Sequence, residues 1–205
     1  MASVVQVAAP DTIQRVRKIQ TITIAWMVAE AAVSLFSAWR ARSPALLAFG
    51  GDSAVELLSA VVVLWRFRTT AIDENAERRA TRIAGALLFA LAAYVVVAST
   101  MSLLGYSEPK PSITGIAILL LAAVVMPWLA REKRRLSAST GSAALRADAA
   151  ESAICAYLSV IALLGVAINS IWHFRWADPI AALVILPLIA REAREAMRGK
   201  ACGCC

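Results

Sequence analysis

Pro44-Ala45-Leu46-Leu47-Ala48-Phe49-Gly50-Gly51-Asp52-Ser53-Ala54-Val55-Glu56-Leu57-Leu58-Ser59-Ala60-Val61-Val62-Val63-Leu64-Trp65 runs for 22 residues with only two charges, Asp52 and Glu56. About 20 apolar residues in a helix cross the roughly 30 Å of bilayer hydrocarbon. The stretch therefore predicts a transmembrane helix. Five more segments read the same way: Ile19–Trp39, Ile83–Gly105, Ile113–Ala130, Ala149–Trp172 and Trp176–Ala190. The last has only 15 residues. It spans if the helix runs on to Arg191 and Arg194 and those side chains snorkel to the interface. No alternating strand pattern is visible, which sets aside a membrane β-barrel. The expected fold is an all-α membrane protein of six transmembrane helices.

The composition agrees. Of 205 residues 60% are apolar and 17% charged, against about 45–50% and about 25% in soluble domains. A water-soluble enzyme, a disordered chain and a nucleic-acid-binding tail are excluded on that ground. Four cysteines, three of them in the last four positions, do not make a disulfide scaffold. The first 18 residues lack the basic start, apolar core and cleavage site of a signal peptide. They read as a cytoplasmic segment, residues 19–198 as the membrane domain, and residues 199–205 as a cysteine-rich cytoplasmic tail. The residues after Ala190 are too few for a soluble domain.

Positive charge sets the expected orientation. The N-terminal segment, the second and fourth connections and the C-terminal segment hold 17 Lys and Arg residues, and the other side holds four, Arg40, Arg42, Lys110 and Arg175. The positive-inside rule then places both termini in the cytoplasm. This topology explains the net charge of +7 without nucleic acid, and contact with anionic lipid is a plain addition to it. Arg outnumbers Lys 17 to 4, a bias that suggests a GC-rich bacterial genome, and the expected location is the bacterial inner membrane. Trp39, Trp65, Trp128, Trp172 and Trp176 fall near span ends, as an interfacial belt does.

Acids are the unusual feature. Glu30, Asp52, Glu56 and Glu151 lie within spans, and Asp148 and Asp178 at span ends. A charge at the bilayer centre costs at least about 2.5–3.5 kcal/mol and so needs a partner, a cavity or a proton. Asp52 and Glu56 are four apart, one turn apart on one helix face. Glu151 and Cys155 repeat that spacing. At an offset of 99, Ala45-to-Glu56 lies on Ala144-to-Cys155, with Asp52 on Glu151 and Glu56 on Cys155. The two spans run in opposite directions, so the match reads as an inverted three-helix repeat, whose interface is where a substrate sits. Asp52, Glu56, Glu151 and Cys155 then offer four anionic ligands at comparable depth. A divalent transition metal takes about four such ligands. The thiolate leans toward Zn²⁺, Cd²⁺ or Co²⁺, while the carboxylates admit Mn²⁺ and Fe²⁺.

At these residues the sequence resembles the membrane domain of the cation diffusion facilitator family. Ser43-Pro44-Ala45-Leu46-Leu47-Ala48 followed by Asp52-Ser53-Ala54-Val55-Glu56 is similar to the family's second span, which carries an [HD]-x-x-x-D ligand pair. Ala147-Asp148-Ala149-Ala150-Glu151-Ser152-Ala153-Ile154-Cys155 is similar to its fifth span, with Glu for His and Cys for Asp. Asp178-Pro179 matches the opening of the sixth. The resemblance covers roughly residues 19–198 and lies closest to a short six-span branch. The family's cytoplasmic domain and histidine-rich loop are not visible, and the only histidine, His173, stands at an outer connection. The resemblance implies a secondary transporter that exports a divalent metal from the cytoplasm in exchange for protons. The family's ion preference does not carry over, and Zn²⁺ is expected from the donor set alone. The resemblance also favours a homodimer packed within the membrane, although the family's cytoplasmic dimer contact does not carry over. The small-residue runs Ala48 to Gly51 and Ala90, Ala92 and Ala93 are candidates for its interface.

No nucleotide site or prosthetic group is expected. The alternative is a membrane metal sensor or modulator that binds without transporting. An intramembrane enzyme would need a nucleophile constellation, and none is visible. Beside the main site, Glu30 reads either as a proton relay or as a neutral acid bonded to a neighbouring helix. Asp148 reads either as lining the cytoplasmic mouth or as a helix-start acid near Arg146. Asp178 and Pro179 read as N-cap and first residue of the sixth helix. Cys202, Cys204 and Cys205 could capture a soft metal.

Overall fold

The computed structural model describes residues 10–66 and 74–198. It contains six helices: α1 (Pro10–Ala41), α2 (Pro44–Arg66), α3 (Glu74–Leu103), α4 (Ile113–Thr140), α5 (Ala143–Trp172) and α6 (Ala177–Met197), with no strand among the described residues. The chain is a six-helix, all-α membrane protein. Five helices are long and apolar enough to span by themselves. The sixth, α6, is 21 residues long, about 31 Å at 1.5 Å per residue. Its apolar run ends at Ala190, but the helix continues through Arg191 and Arg194, as snorkelling requires.

Helices that pack in lipid gain little from hydrophobicity, because lipid tails are as apolar as leucine; small side chains that allow close approach decide the contacts. The interior is accordingly rich in Ala and Ser, including Ala45, Ala48, Ala122, Ala162, Ser34 and Ser99. Large apolar side chains such as Phe36, Val97, Val124, Leu164 and Ile171 face outward. A Cβ on Gly165 of α5 would stand 2.4 Å from the Ala181 Cβ of α6, so only glycine permits that crossing. The run Ala48 to Gly51 serves the same purpose within the chain: Gly50 lies against Ser34 of α1 and Gly51 against Leu91 of α3. This run is therefore not an open surface for a second copy. On α3, Ala90 and Ala93 are exposed and Ala92 is half-buried. Trp39, Trp65, Trp172 and Trp176 are exposed near helix ends, while Trp128, also exposed, lies in the middle of α4, because that helix runs on to Thr140.

The two hairpins repeat at the offset read from sequence. Helix α1 ends at Ala41 and α4 at Thr140; α2 begins at Pro44 and α5 at Ala143. Each turn is a left-handed residue followed by a serine: Arg42 (φ 51) then Ser43, and Gly141 (φ 64) then Ser142. Each serine hydroxyl accepts from the third backbone N–H of the next helix, Leu46 and Leu145, an N-cap that satisfies a donor the helix leaves orphaned. The first turn lies at the end shared with residues 104–112 and 173–176, joined by Lys110 N–H to the Ala41 carbonyl. The second lies with the start of α1, where Val16 packs on Leu145. The hairpins therefore point in opposite directions. In each half the second helix packs on the other two, and α1–α4, α2–α5 and α3–α6 pair across the halves.

Two expectations about the connections need correction. Residues 131–140 are not a solvated loop. Helix α4 runs on to Thr140 through Arg131–Leu136, and only Gly141, in the left-handed region that favours glycine, ends it. Asp178 is not the N-cap of α6. Trp176 holds that position, without a side-chain cap bond. Asp178 instead caps α2: its carboxylate accepts from the Ser43 hydroxyl and from Ala45 N–H at 3.1 Å. With Pro44 carrying no N–H and Leu47 N–H bonded to the Ser43 carbonyl, all the orphan donors of α2 are satisfied. Cys202, Cys204, Cys205 and the first nine residues lie outside the described residues.

Candidate metal site

Helices α2 and α5 cross at the centre of the bundle. Asp52, Ser53 and Glu56 on α2 and Ser152 and Cys155 on α5 are buried there, and Glu151 is half-buried. Burial of two carboxyls one turn apart is possible only because α1, α4 and α6 bring polar side chains to them.

Helix α1 contributes Glu30, fully buried. One of its oxygens accepts from the Ser53 hydroxyl at 2.7 Å and from the Cys155 thiol at 3.5 Å; the other accepts from the Trp26 indole N–H. The Ser53 hydroxyl and Cys155 sulfur are 3.9 Å apart. Glu30 thus bonds to neighbouring helices, at a residue beside Asp52 and directly at Cys155, a position that both readings of it share.

Helix α6 contributes Glu192, which sequence reasoning left in the solvated C-terminal segment. Its carboxyl shares a hydrogen bond with that of Asp52 and stands within electrostatic reach of Glu56 and Glu151. A hydrogen bond between two carboxyl groups requires a proton on one of them, because an ionised carboxylate only accepts. Pro187, one turn earlier, lacks the N–H that would bond to the Leu183 carbonyl.

Helix α4 contributes Lys133, also fully buried. Its ammonium pairs with Asp148 of α5 at 3.0 Å and donates to the Ser152 hydroxyl at 2.7 Å. Ser152 donates in turn to Glu56 at 2.8 Å, and Gln20 of α1 donates to Asp148 at 2.6 Å. Asp148 is thus the partner of Lys133 rather than a helix-start acid near Arg146.

The four residues expected as ligands thus share one region but differ in their partners. Cys155 bonds to Glu30, Asp52 to Glu192 and Glu56 to Ser152, while Glu151 lies within electrostatic reach of Glu56 and Glu192. Among the described residues no three acidic, cysteine or histidine side chains stand in metal-holding geometry. Rotamer changes at these side chains would have to bring them together. A periodic signal for the two missed residues was present. Lys133 continues the buried stripe Met126, Leu129, Ala130, and Glu192 continues the line Asp178, Ile185, Ile189, both at the three-, four- and seven-residue spacings of one helix face.

The fold is that of a six-helix membrane protein with a buried acidic region, and the sequence comparison shows its family. The cation efflux transmembrane domain matches residues 21–199. The chain belongs to the cation efflux family. It is 26% identical over 181 residues to the manganese efflux system protein MneS of Bacillus subtilis (strain 168), covering 84% of this chain and 62% of that protein. It is 27% identical over 161 residues to the uncharacterized transporter YdbO of the same organism, covering 74% of this chain and 55% of that protein. The chain therefore spans about six-tenths of the length of the curated relatives it matches.

Proposed function

We propose that the protein exports a divalent transition-metal cation from the bacterial cytoplasm across the cell membrane in exchange for protons, with Asp52, Glu56, Glu151 and Cys155 as metal-contacting side chains. Both termini lie in the cytoplasm in this reading. The observation that carries it is the Asp52–Glu192 carboxyl pair, Asp52 buried and Glu192 half-buried, where helices of both halves meet. Such a pair holds a proton that a cation can replace. Around it the Ser53 and Ser152 hydroxyls and the Cys155 thiol hold further hydrogens against Glu30 and Glu56.

Metal ligands must be deprotonated, so binding from the cytoplasm releases protons. Rocking of one half against the other then opens the site outward, where protons return to the carboxyls and free the metal. The donor set is mostly carboxylate with one sulfur and no imidazole. The sulfur supports Zn²⁺, Cd²⁺ and Co²⁺; the carboxylates support Mn²⁺ and Fe²⁺, and the manganese efflux of MneS supports Mn²⁺. We expect two copies to assemble in the membrane, with the Ala90–Ala93 face of α3 as the open small-residue surface.

The test is metal uptake into proteoliposomes against an imposed pH gradient. Flux that follows the gradient and collapses in Asp52→Ala supports the proposal. Full flux in Asp52→Ala removes the site assignment. Metal binding with no flux above protein-free liposomes turns the reading to a sensor or modulator.

A further inference from the structure

The Lys133–Asp148 pair is not explained by transport chemistry at Asp52. A buried ion pair is weak support for stability, because desolvating both charges can cost as much as their attraction returns. Apolar residues at both positions would pack as well. What distinguishes this pair is where it leads. The ammonium donates to Ser152, and Ser152 donates to Glu56. The chain of bonds ties α4 and α5 of one half to α2 of the other. Gln20 of α1 donates to the same Asp148 oxygen that pairs with the ammonium. The Ser152 hydroxyl has one hydrogen. Accepting from the ammonium leaves that hydrogen to the Glu56 carboxylate at 2.8 Å and the Asp148 backbone carbonyl at 3.1 Å, of which the carboxylate is the nearer and, when ionised, the stronger acceptor.

We propose that Lys133 is a built-in counter-cation of the export site, which positions Glu56 through Ser152 and sets the affinity of the site for divalent ions. The inference rests on the reading of Asp52 and Glu56 as metal ligands. Two hydrogen bonds of 2.7 and 2.8 Å place the ammonium within about 5.5 Å of a Glu56 oxygen, and at such distances in a protein interior charges interact strongly. Lys133 repels an arriving dication, and Asp148 restrains that repulsion by sharing the ammonium's charge. The pair weakens binding enough for the metal to leave. Lys133 is thus a positioning and affinity-setting residue rather than a ligand.

The experiment is titration of the purified full chain with Mn²⁺ and with Zn²⁺ by calorimetry, alongside proteoliposome flux. Lys133→Met removes the repelling charge and is expected to tighten both ions about tenfold while lowering maximal flux, because release slows. Asp148→Asn leaves the shape and unbalances the ammonium; it is expected to weaken both ions about tenfold. Lys133→Arg keeps the charge and is expected to restore binding that Lys133→Met alters. A merely structural pair predicts that Met and Asn both weaken binding, and shifts of the same sign overturn the proposal. If Lys133→Met does not fold, Lys133→Gln takes its place under the same expectation, and parent-like affinity in Asp148→Asn overturns the proposal in either case. Asp52→Ala separates the two readings. Loss of binding there with no shift in Asp148→Asn removes only the role of Lys133. Retained binding in Asp52→Ala removes the site and this inference with it.

Discussion

Asp178 and Asp52 are both buried carboxyls, 1% and 4% exposed, near opposite ends of α6. Burial does not tell them apart, but their partners do. Asp178 lies among the turns at the end that the charge count places outside. It accepts from a serine hydroxyl and a backbone N–H at the start of α2. Its neighbours are similar: Lys110 N–H bonds to the Ala41 carbonyl, Asn169 donates to the Pro109 carbonyl, and the Ser37 hydroxyl donates to that of Thr114. These bonds close helix ends and turns. Asp52 bonds to another carboxyl, and the groups around it are carboxyls, hydroxyls, a thiol and an ammonium. An acid held by fixed backbone donors is a structural element. An acid held by groups that carry movable protons can exchange one for a metal.

The sharpest way to break that contrast is to remove each acid. Asp52→Ala is expected to lower metal flux by about 100-fold or more, the effect of some 3 kcal/mol lost at a site where binding must occur, with the helical circular dichroism unchanged. Flux within a few-fold of the parent would place Asp52 in the same structural class as Asp178. Asp178→Ala is expected to do the reverse. It leaves Ala45 N–H and the Ser43 hydroxyl without their acceptor and is expected to cost about 1–2 kcal/mol of stability, read as a lower melting temperature in detergent, while flux per folded molecule stays close to the parent. A stable Asp178→Ala protein with no flux would erase the distinction.

A smaller effect sharpens the description of the inner site. Cys155 is its one soft donor and is fully buried. Cys155→Ser keeps the size and the bond to Glu30 but replaces sulfur by oxygen. The ratio of Zn²⁺ to Mn²⁺ flux is expected to fall several-fold, because thiolate favours zinc more than hydroxyl does. An unchanged ratio would mean that Cys155 only packs, and that carboxylates alone select the ion.

How much of this was legible follows from what each signal measures. The starts of α2 and α4 were plain, since the apolar runs begin at Pro44 and Ile113. The hairpin offset was plain too, because Ala45-to-Glu56 lies on Ala144-to-Cys155; that Ser43 and Ser142 recur as caps at the same offset emerges only from the structure. The end of α4 was not. The apolar window stops at Ala130, where hydrocarbon stops, but Arg and Glu continue a helix readily and only Gly141 ends it. Reading Lys133 as part of the positive-inside count hid its place on the buried stripe. Glu192 was lost because it stands two residues past the end of the continuous apolar run at Ala190, among Arg191 and Arg194. Spacing along one helix revealed the Asp52–Glu56 and Glu151–Cys155 pairs. The partners from α1, α4 and α6 are tertiary facts, set by how helices cross, and no single segment announces them.

The outer rim also holds a charged pair that tests the other limit. Glu108 and Arg175 join the connections on either side of α4 and α5 through a hydrogen-bonded ion pair. Both side chains are more than half exposed, so water and salt screen the attraction, and the pair must also hold two long side chains in one geometry. Exposed pairs contribute about 0–1 kcal/mol. Glu108→Gln is therefore expected to shift the melting temperature less than Asp178→Ala does, and the small shift should shrink further as salt rises from about 0.05 M to about 1 M, where the Debye length falls to about 3 Å. A large, salt-insensitive loss would mean that the rim is held by this contact rather than by the buried caps at Ser43 and Asp178. A loss of flux without loss of stability would make the rim a moving part of the export path, and the separation drawn between its fixed acids and the exchangeable acids inside would no longer hold.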